Sequence, residues 1–259
     1  MRNSLIVAHA LVRAVSRLVS TLLLCVPILW AQESCSDRVR SLERQLADQG
    51  HTLKDWGGLT RYGSDDSEVP PPAAGEERVV FLGDQITEFW GRSAPFFSGK
   101  PWLNRGIAGQ TTDQMLVRFR QDVIGLHPKA VVILAGLNDI AGLHGSATEE
   151  MILDNLASMT ELAQANGIRV VLASVTPVCD CFNKSAVRQR WQERIMEVND
   201  LIRRYSARAN AVYLDYYAAM ADGENLKMSL TNDGVLPNSA GYGIMAPLAG
   251  RAVAEALKK

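Results

Sequence analysis

Short, unbroken apolar runs separated by stretches of helical spacing restrict this chain to few architectures. They form Val79–Leu82 and Ala130–Leu134 and the centres of the strands Arg169–Ser174 and Ala211–Asp215, and the more polar Trp102–Ile107 reads as a fifth strand. A strand that is apolar at every position has no face for water, so it belongs inside a sheet covered on both sides. Alternation with helices makes that sheet parallel, because parallel neighbours need long crossover connections. Ligands of such sheets sit at the carboxyl ends of the strands. Three unusual loops leave those ends: Gly83-Asp84-Gln85, Gly136-Leu137-Asn138-Asp139 and Thr176–Lys184.

The helices have their own signals. Thr111 and Thr112 cap one that runs to about Leu126. Ser146-x-x-Glu149 reads as a capping box opening a second, which Gly167 ends. A long helix covers Ala186–Ala209, and the last starts at Asn238 or Ser239 and reaches Leu257. Upstream, Val39, Leu42 and Leu46 lie at helical spacing within Ser36–Gly50, and His51–Glu77, with Pro70-Pro71-Pro72, reads as an extended polar lead-in.

The 259 residues carry a net charge of -1, with 47% hydrophobic and 21% charged residues, enough for one domain with a substantial core. So balanced a charge gives no reason to expect nucleic acid as a partner. The N-terminus is distinct. Arg2, Arg13 and Arg17 precede the apolar stretch Leu18–Trp30 and then Ala31. This is the pattern of a signal segment, residues 1–31, for export to a periplasmic or extracellular space, with a retained anchor as the alternative. After cleavage no membrane span is expected. Residues 32–76 then form the helix and lead-in, and 77–259 the domain. Cys35, Cys179 and Cys181 would remain, allowing one disulfide and one spare thiol. Cys179-Asp180-Cys181 lacks the partners of a zinc site, and a structural role suits it.

Four segments carry the chemistry: Gly83-Asp84-Gln85-Ile86, then Asn104–Thr112, then Gly136-Leu137-Asn138-Asp139, and last Asp233-Gly234-Val235-Leu236-Pro237. In order and spacing they resemble the blocks of the SGNH (GDSL) hydrolase family. The resemblance covers the chain from about Glu77 onward. It implies an α/β fold: a three-layer α/β/α sandwich around a five-stranded parallel sheet. It also implies hydrolysis of lipid, short acyl or acetylated-sugar esters without a metal or organic cofactor.

Ester hydrolysis needs a nucleophile, a base for its proton, an orienting carboxylate and donors for the oxyanion. Carried over from the family, Gly109 and Asn138 match the oxyanion donors and Asp233 the orienting acid. Gln85 stands where the family has its nucleophilic Ser, and Leu236 where it has its His. A primary amide is no nucleophile and Leu moves no proton. Loss of either Ser or His costs about a millionfold in turnover, and loss of both adds little, because the members act as a unit. The resemblance implies an esterase-type protein, and the two replacements imply no ordinary serine-esterase turnover; a small-molecule ester or carbohydrate ligand held in the remnant pocket is the first hypothesis, and a non-catalytic scaffold is an alternative. Asp84, Gly109 and Asn138 are its candidate ligand-binding residues. Gln85 offers such a ligand both a donor and an acceptor group.

Other features are weaker. His144 follows Asn138 on the proper rim and is a possible replacement base for a water-activating hydrolase, though an exposed loop histidine explains it as well. His127 belongs to the opposite edge, and His51 and His9 lie in the lead-in and the signal segment. Asp84 more often ties the first loop to the backbone. Gly241-x-Gly243-x-x-Ala246 imitates a dinucleotide fingerprint but has no strand before it. Asn183-Lys184-Ser185 spells a glycosylation sequon. Trp90, Phe96, Phe97 and Trp102 read as core and rim packing ahead of a sugar platform.

Overall fold

The computed structural model describes residues 36–44, 46, 50, 54–93, 95–182 and 186–258. The expected signal segment 1–31, Cys35, His9, His51 and Asn183-Lys184-Ser185 lie outside them. Two units are distinguished, Met1–Asp55 and Trp56–Lys259. In the first, residues 36–44 are helical, with Val39 and Leu42 exposed. Among all described residues, no helix is long and apolar enough to cross a membrane.

The second unit is built on a parallel sheet of β1 (Val79–Gly83), β2 (Trp102–Gly106), β3 (Ala130–Leu134), β4 (Arg169–Ala173) and β5 (Val212–Leu214), ordered β2-β1-β3-β4-β5. Every residue of β1 and β3 is buried, as their unbroken apolar sequence requires. Around the sheet lie α1 (Gly63–Glu68), α2 (Gln85–Ser93), α3 (Thr112–Asp122), α4 (Leu137–Ile140), α5 (Glu149–Ala165), α6 (Ala186–Arg208), α7 (Tyr216–Met220) and α8 (Ser239–Lys258). Helices α3, α5 and α6 pack in sequence on one another, while α8 lies along β3, β4 and β5 and touches α2. This is the α/β/α sandwich expected, closed by a β6–β7 hairpin, Ala221–Asp222 with Asn225–Leu226.

Caps fix the helix starts. Thr111 and Gln114 form a reciprocal capping box on α3. On α5 the cap is Thr148, whose hydroxyl accepts from the Met151 N–H at 3.2 Å. The expected Ser146–Glu149 box is thus displaced by two residues, because Thr148 holds the extended backbone that a cap requires. Gly167 ends that helix in the left-handed region, φ +71°. Asn238 caps α8 by accepting from the Ala240 and Gly241 N–H groups at 2.9 and 3.1 Å. The Gly241–Ala246 pattern lies inside this helix and begins no phosphate loop.

The lead-in is not extended throughout. Residues 63–68 are helical, and the compact unit begins at Trp56 rather than near Glu77. Local polarity hid this, since the attachment is made by groups distant in sequence. Arg105 Nη2 pairs with Asp66 Oδ1 at 2.6 Å, and the Tyr62 hydroxyl donates to the Gly106 carbonyl at 2.5 Å.

The aromatic cluster is core. Phe81 stands at its centre, edge-on to Trp90, Phe96 and Phe97 at 5.2–6.2 Å, and Trp90 stacks on Phe96 at 4.3 Å. Lys100 covers the rings of Phe96 and Trp102 from solvent at 4.3 and 4.1 Å.

Candidate functional site

Strand register sets the site. Gly83 is opposite Gly106 on one side and Leu134 on the other, so β1, β2 and β3 end at one level. The three loops that follow leave one edge together, where the strand order reverses around β1. Each loop delivers one polar group. Gln85 opens α2, Gly109 lies on the turn after β2 with φ +81°, and Asn138 sits in α4, launched by Gly136 at φ +115°. Gly109 and Gly136 adopt backbone that L side chains rarely enter.

The groups converge on one atom. Gln85 Oε1 accepts from the Gly109 N–H at 3.0 Å and from Asn138 Nδ2 at 2.9 Å. Gln85 Nε2 donates back to Asn138 Oδ1 at 3.2 Å. Asn138 Nδ2 also donates to the Gln110 carbonyl at 2.8 Å. The backbone partners fix both amide orientations. An N–H can face only an acceptor and a carbonyl only a donor, so oxygen points at Gly109 and nitrogen at Gln110. The donor and acceptor that sequence reading left to a ligand are both engaged inside the protein.

Beneath these side chains lies a support that sequence reading missed. Arg118, fully buried on α3, donates to the Gly83 carbonyl at 3.2 Å, to Gln110 Oε1 at 2.5 Å and to Asp122 Oδ2 at 2.9 Å. Burial lowers its pKa, and the carboxylate of Asp122 opposes that shift. Gln110 Nε2 donates to the Gly57 carbonyl at 2.9 Å, and Gln114 Nε2 to that of Trp56 at 2.7 Å. The only available signal was an Arg and an Asp, four residues apart, among the buried positions Met115 and Phe119 of one helix face. Asp139 holds the opposite side, accepting from the Thr112 N–H at 3.1 Å and its hydroxyl at 2.6 Å.

Asp84 is 1% exposed, and its Oδ1 accepts from the Ile86 N–H at 2.9 Å, the loop-tying contact that its position suggested. Burial pushes its carboxyl up to about 7; the Ile86 N–H opposes this and the charge of Asp139 adds to it. Asp139 is likewise raised, chiefly by burial.

Asp233 and Leu236 border a neighbouring cleft of ≈ 480 Å³ with Phe89, Pro237, Asn238 and Tyr242. Asp233 Oδ1 accepts from the N–H groups of Val235 and Leu236 at 2.8 and 2.7 Å, which folds its own loop. Phe89 stands one helical turn after Gln85 on α2, while Gln85, Gly109 and Asn138 are not among the residues lining this cleft. Tyr242 links the cleft to α2, its hydroxyl donating to the Ile86 carbonyl at 2.8 Å. His144 is exposed and lines a different depression, with Asp113, Met151, Asp154 and Asn155. His127 is exposed after the turn that precedes β3. Among the described residues, no cluster of three or more His, Cys, Asp or Glu could hold a metal.

Sheet order and rim loops define an α/β/α domain of the SGNH hydrolase class. The chain belongs to the GDSL-like lipase/acylhydrolase family, whose model matches residues 81–244. A Bacteroides fragilis protein provisionally described as an acylhydrolase is 40% identical and superposes with a TM-score of 0.74, over 78% of this chain and 98% of its own. A GDSL-like lipase of Bacteroides thetaiotaomicron is 39% identical, with a TM-score of 0.73 over 77% and 98%. An uncharacterized lipoprotein of Bacillus subtilis, YqeF, is 26% identical over 175 residues, 60% of this chain and 71% of its own.

Proposed function

We propose that this chain is an exported member of the family that binds an acylated or carbohydrate ligand and lacks serine-type ester turnover. One observation carries the reading: Gln85 Oε1 receives hydrogen bonds from Gly109 and Asn138 at 3.0 and 2.9 Å. The family resemblance gives those two donors to the oxyanion and gives position 85 to the nucleophile. The carboxamide is a poor nucleophile, and its oxygen takes the donors that a substrate carbonyl would need. At position 236 an apolar side chain accepts no proton.

The ligand site is the cleft beside the plugged hole. Phe89, Leu236 and Tyr242 offer apolar surface, and Asp233 adds a polar group, a combination suited to an acyl chain or a sugar face. Gln85, Asn138 and Gly109 form the hydrogen-bonded group on the same rim, while Asp84 shapes the turn from within. Export is supported by the basic, apolar and small-residue order of residues 1–31, and by the lipoprotein description of the Bacillus subtilis relative.

The test compares the parent, Gln85→Ser and Gln85→Ser/Leu236→His on p-nitrophenyl acetate, with calorimetric titration of an acetylated oligosaccharide and a short-chain fatty acid. The parent should stay at background while the double variant gains about a thousandfold or more. Binding without turnover in the parent supports the proposal. Parent turnover that disappears on Asp233→Ala or His144→Ala would instead establish a water-activating hydrolase. Neither binding nor turnover would leave a scaffold.

A further inference from the structure

The loop leaving β4 carries a second piece of chemistry. Cys179 and Cys181 are joined by a disulfide across one residue, with Cα atoms 5.2 Å apart. Their surroundings differ. Cys179 is 2% exposed, whereas Cys181 lies at the surface beside the exposed ring of Phe182. The Cys179 N–H donates to the Gly234 carbonyl at 2.8 Å. The Val178 carbonyl accepts from the Leu226 N–H at 3.1 Å and from Gln192 Nε2 at 3.2 Å. The bonded pair thus sits where the β4 loop is stitched to residues 231–237, the loop of Asp233 and Leu236.

A disulfide closing so short a ring does least to restrict the unfolded chain, so its constraint falls on the native loop. The surface sulfur is the one that an attacking thiolate can reach. We propose that the Cys179–Cys181 bond is a thiol-responsive latch on the Asp233 loop, opened by an external thiol and closed by the reverse exchange with an external disulfide R–S–S–R, which leaves as two R–SH. A thiolate R–S⁻ attacks Cys181 Sγ; the new S–S bond forms there as the old one breaks. The electron pair leaves on Cys179, which takes the proton that R–SH gave up. A second R–SH then releases Cys181 as a thiol and departs as R–S–S–R. Two external thiols are oxidised and one protein disulfide is reduced. The latch concerns the loop's restraint alone, whatever the cleft binds.

The experiment uses the full chain with Cys25→Ser and Cys35→Ser, so that no other thiol competes. Hydrogen–deuterium exchange is followed in oxidised and then in reduced glutathione. Reduction should speed exchange of residues 231–237 about tenfold and leave Val79–Leu82 unchanged, since local opening is independent of the core strands. Cys179→Ser/Cys181→Ser added to that background should exchange at the fast rate in both. The proposal fails if reduced glutathione leaves the bond intact. It fails equally if reduction changes nothing in the loop, or raises exchange uniformly across the sheet.

Discussion

Gln85 and Asn138, 53 residues apart in the chain, face each other as a paired amide: Asn138 Nδ2 donates to Gln85 Oε1 at 2.9 Å and Gln85 Nε2 donates to Asn138 Oδ1 at 3.2 Å. They meet because β1 and β3 are neighbours ending in register, so the residues just beyond them share one rim. Helix α4 is only four residues long; Asn138 is buried at 6% exposure and Gln85 is half-buried, so water reaches the pair only from the Gln85 side.

Asn138→Asp replaces the buried donor by an acceptor facing two oxygens, Gln85 Oε1 and the Gln110 carbonyl. At neutral pH this should destabilise the fold by about 2–4 kcal/mol, more than Asn138→Ala, because a charge is buried unpaired. Acid should restore part of the loss by protonating the introduced carboxyl. Urea denaturation at two pH values measures it; equal losses for Asp and Ala would refute the pairing.

Asp84 makes stability depend on pH. Its folded value of about 7 lies above the reference of 3.8, so between the two the folded state holds a proton that the unfolded state has lost. Stability therefore falls as pH rises through that window and levels off above it, with a limiting slope of about 1.4 kcal/mol per pH unit for one proton. Asp84→Asn should reduce the fall, leaving the smaller contribution of Asp139, which has the same sign. An unchanged slope in the variant would show that Asp84 does not titrate in this way.

Arg118→Met leaves Asp122 buried without its counter-charge and removes the donors to Gly83 and Gln110. The expected loss is about 3–5 kcal/mol, with Arg118→Met/Asp122→Leu recovering more than half, since breaking a buried pair is worse than replacing it. A double-mutant cycle by chemical denaturation checks this. Additive losses would mean that the two residues act separately.

Two glycines should respond with opposite signs. A Cβ at Gly106 would lie 2.2 Å from the Glu88 nitrogen and 2.8 Å from the Asp84 carbonyl oxygen, both backbone atoms of the rim. Gly106→Ala should therefore cost about 1–3 kcal/mol or more. Gly243, on the exposed side of α8, meets nothing within 4 Å, and Gly243→Ala should gain about 0.5–1 kcal/mol through helix propensity. Thermal melts of the two variants decide the matter, and a tolerated Gly106→Ala would contradict the close approach of β2 to α2.

The parallel sheet was legible because β1 and β3 are apolar at every position, a pattern that few other elements share. The family resemblance was legible because the blocks around positions 85 and 236, Gly83-Asp84 before one and Asp233 before the other, stayed recognisable. Within the expected lead-in His51–Glu77, the helix over 63–68 went unread because Tyr62 and Asp66 find their partners, Gly106 and Arg105, about forty residues downstream. Arg118 was passed over for the same reason, since a cation in a helix reads as a surface residue until its acceptors are located.

Sequence by itself determined the strand-and-helix alternation, the rim that gathers the loops, and the residue types at positions 85 and 236, all properties of local pattern. Only the tertiary structure decided where the Gln85 amide points, which carbonyl Arg118 holds, and that Asp233 accepts from its own loop. Those outcomes depend on which donors and acceptors are left beside one another when the strands pair, a matter of distance in space that order along the chain does not contain.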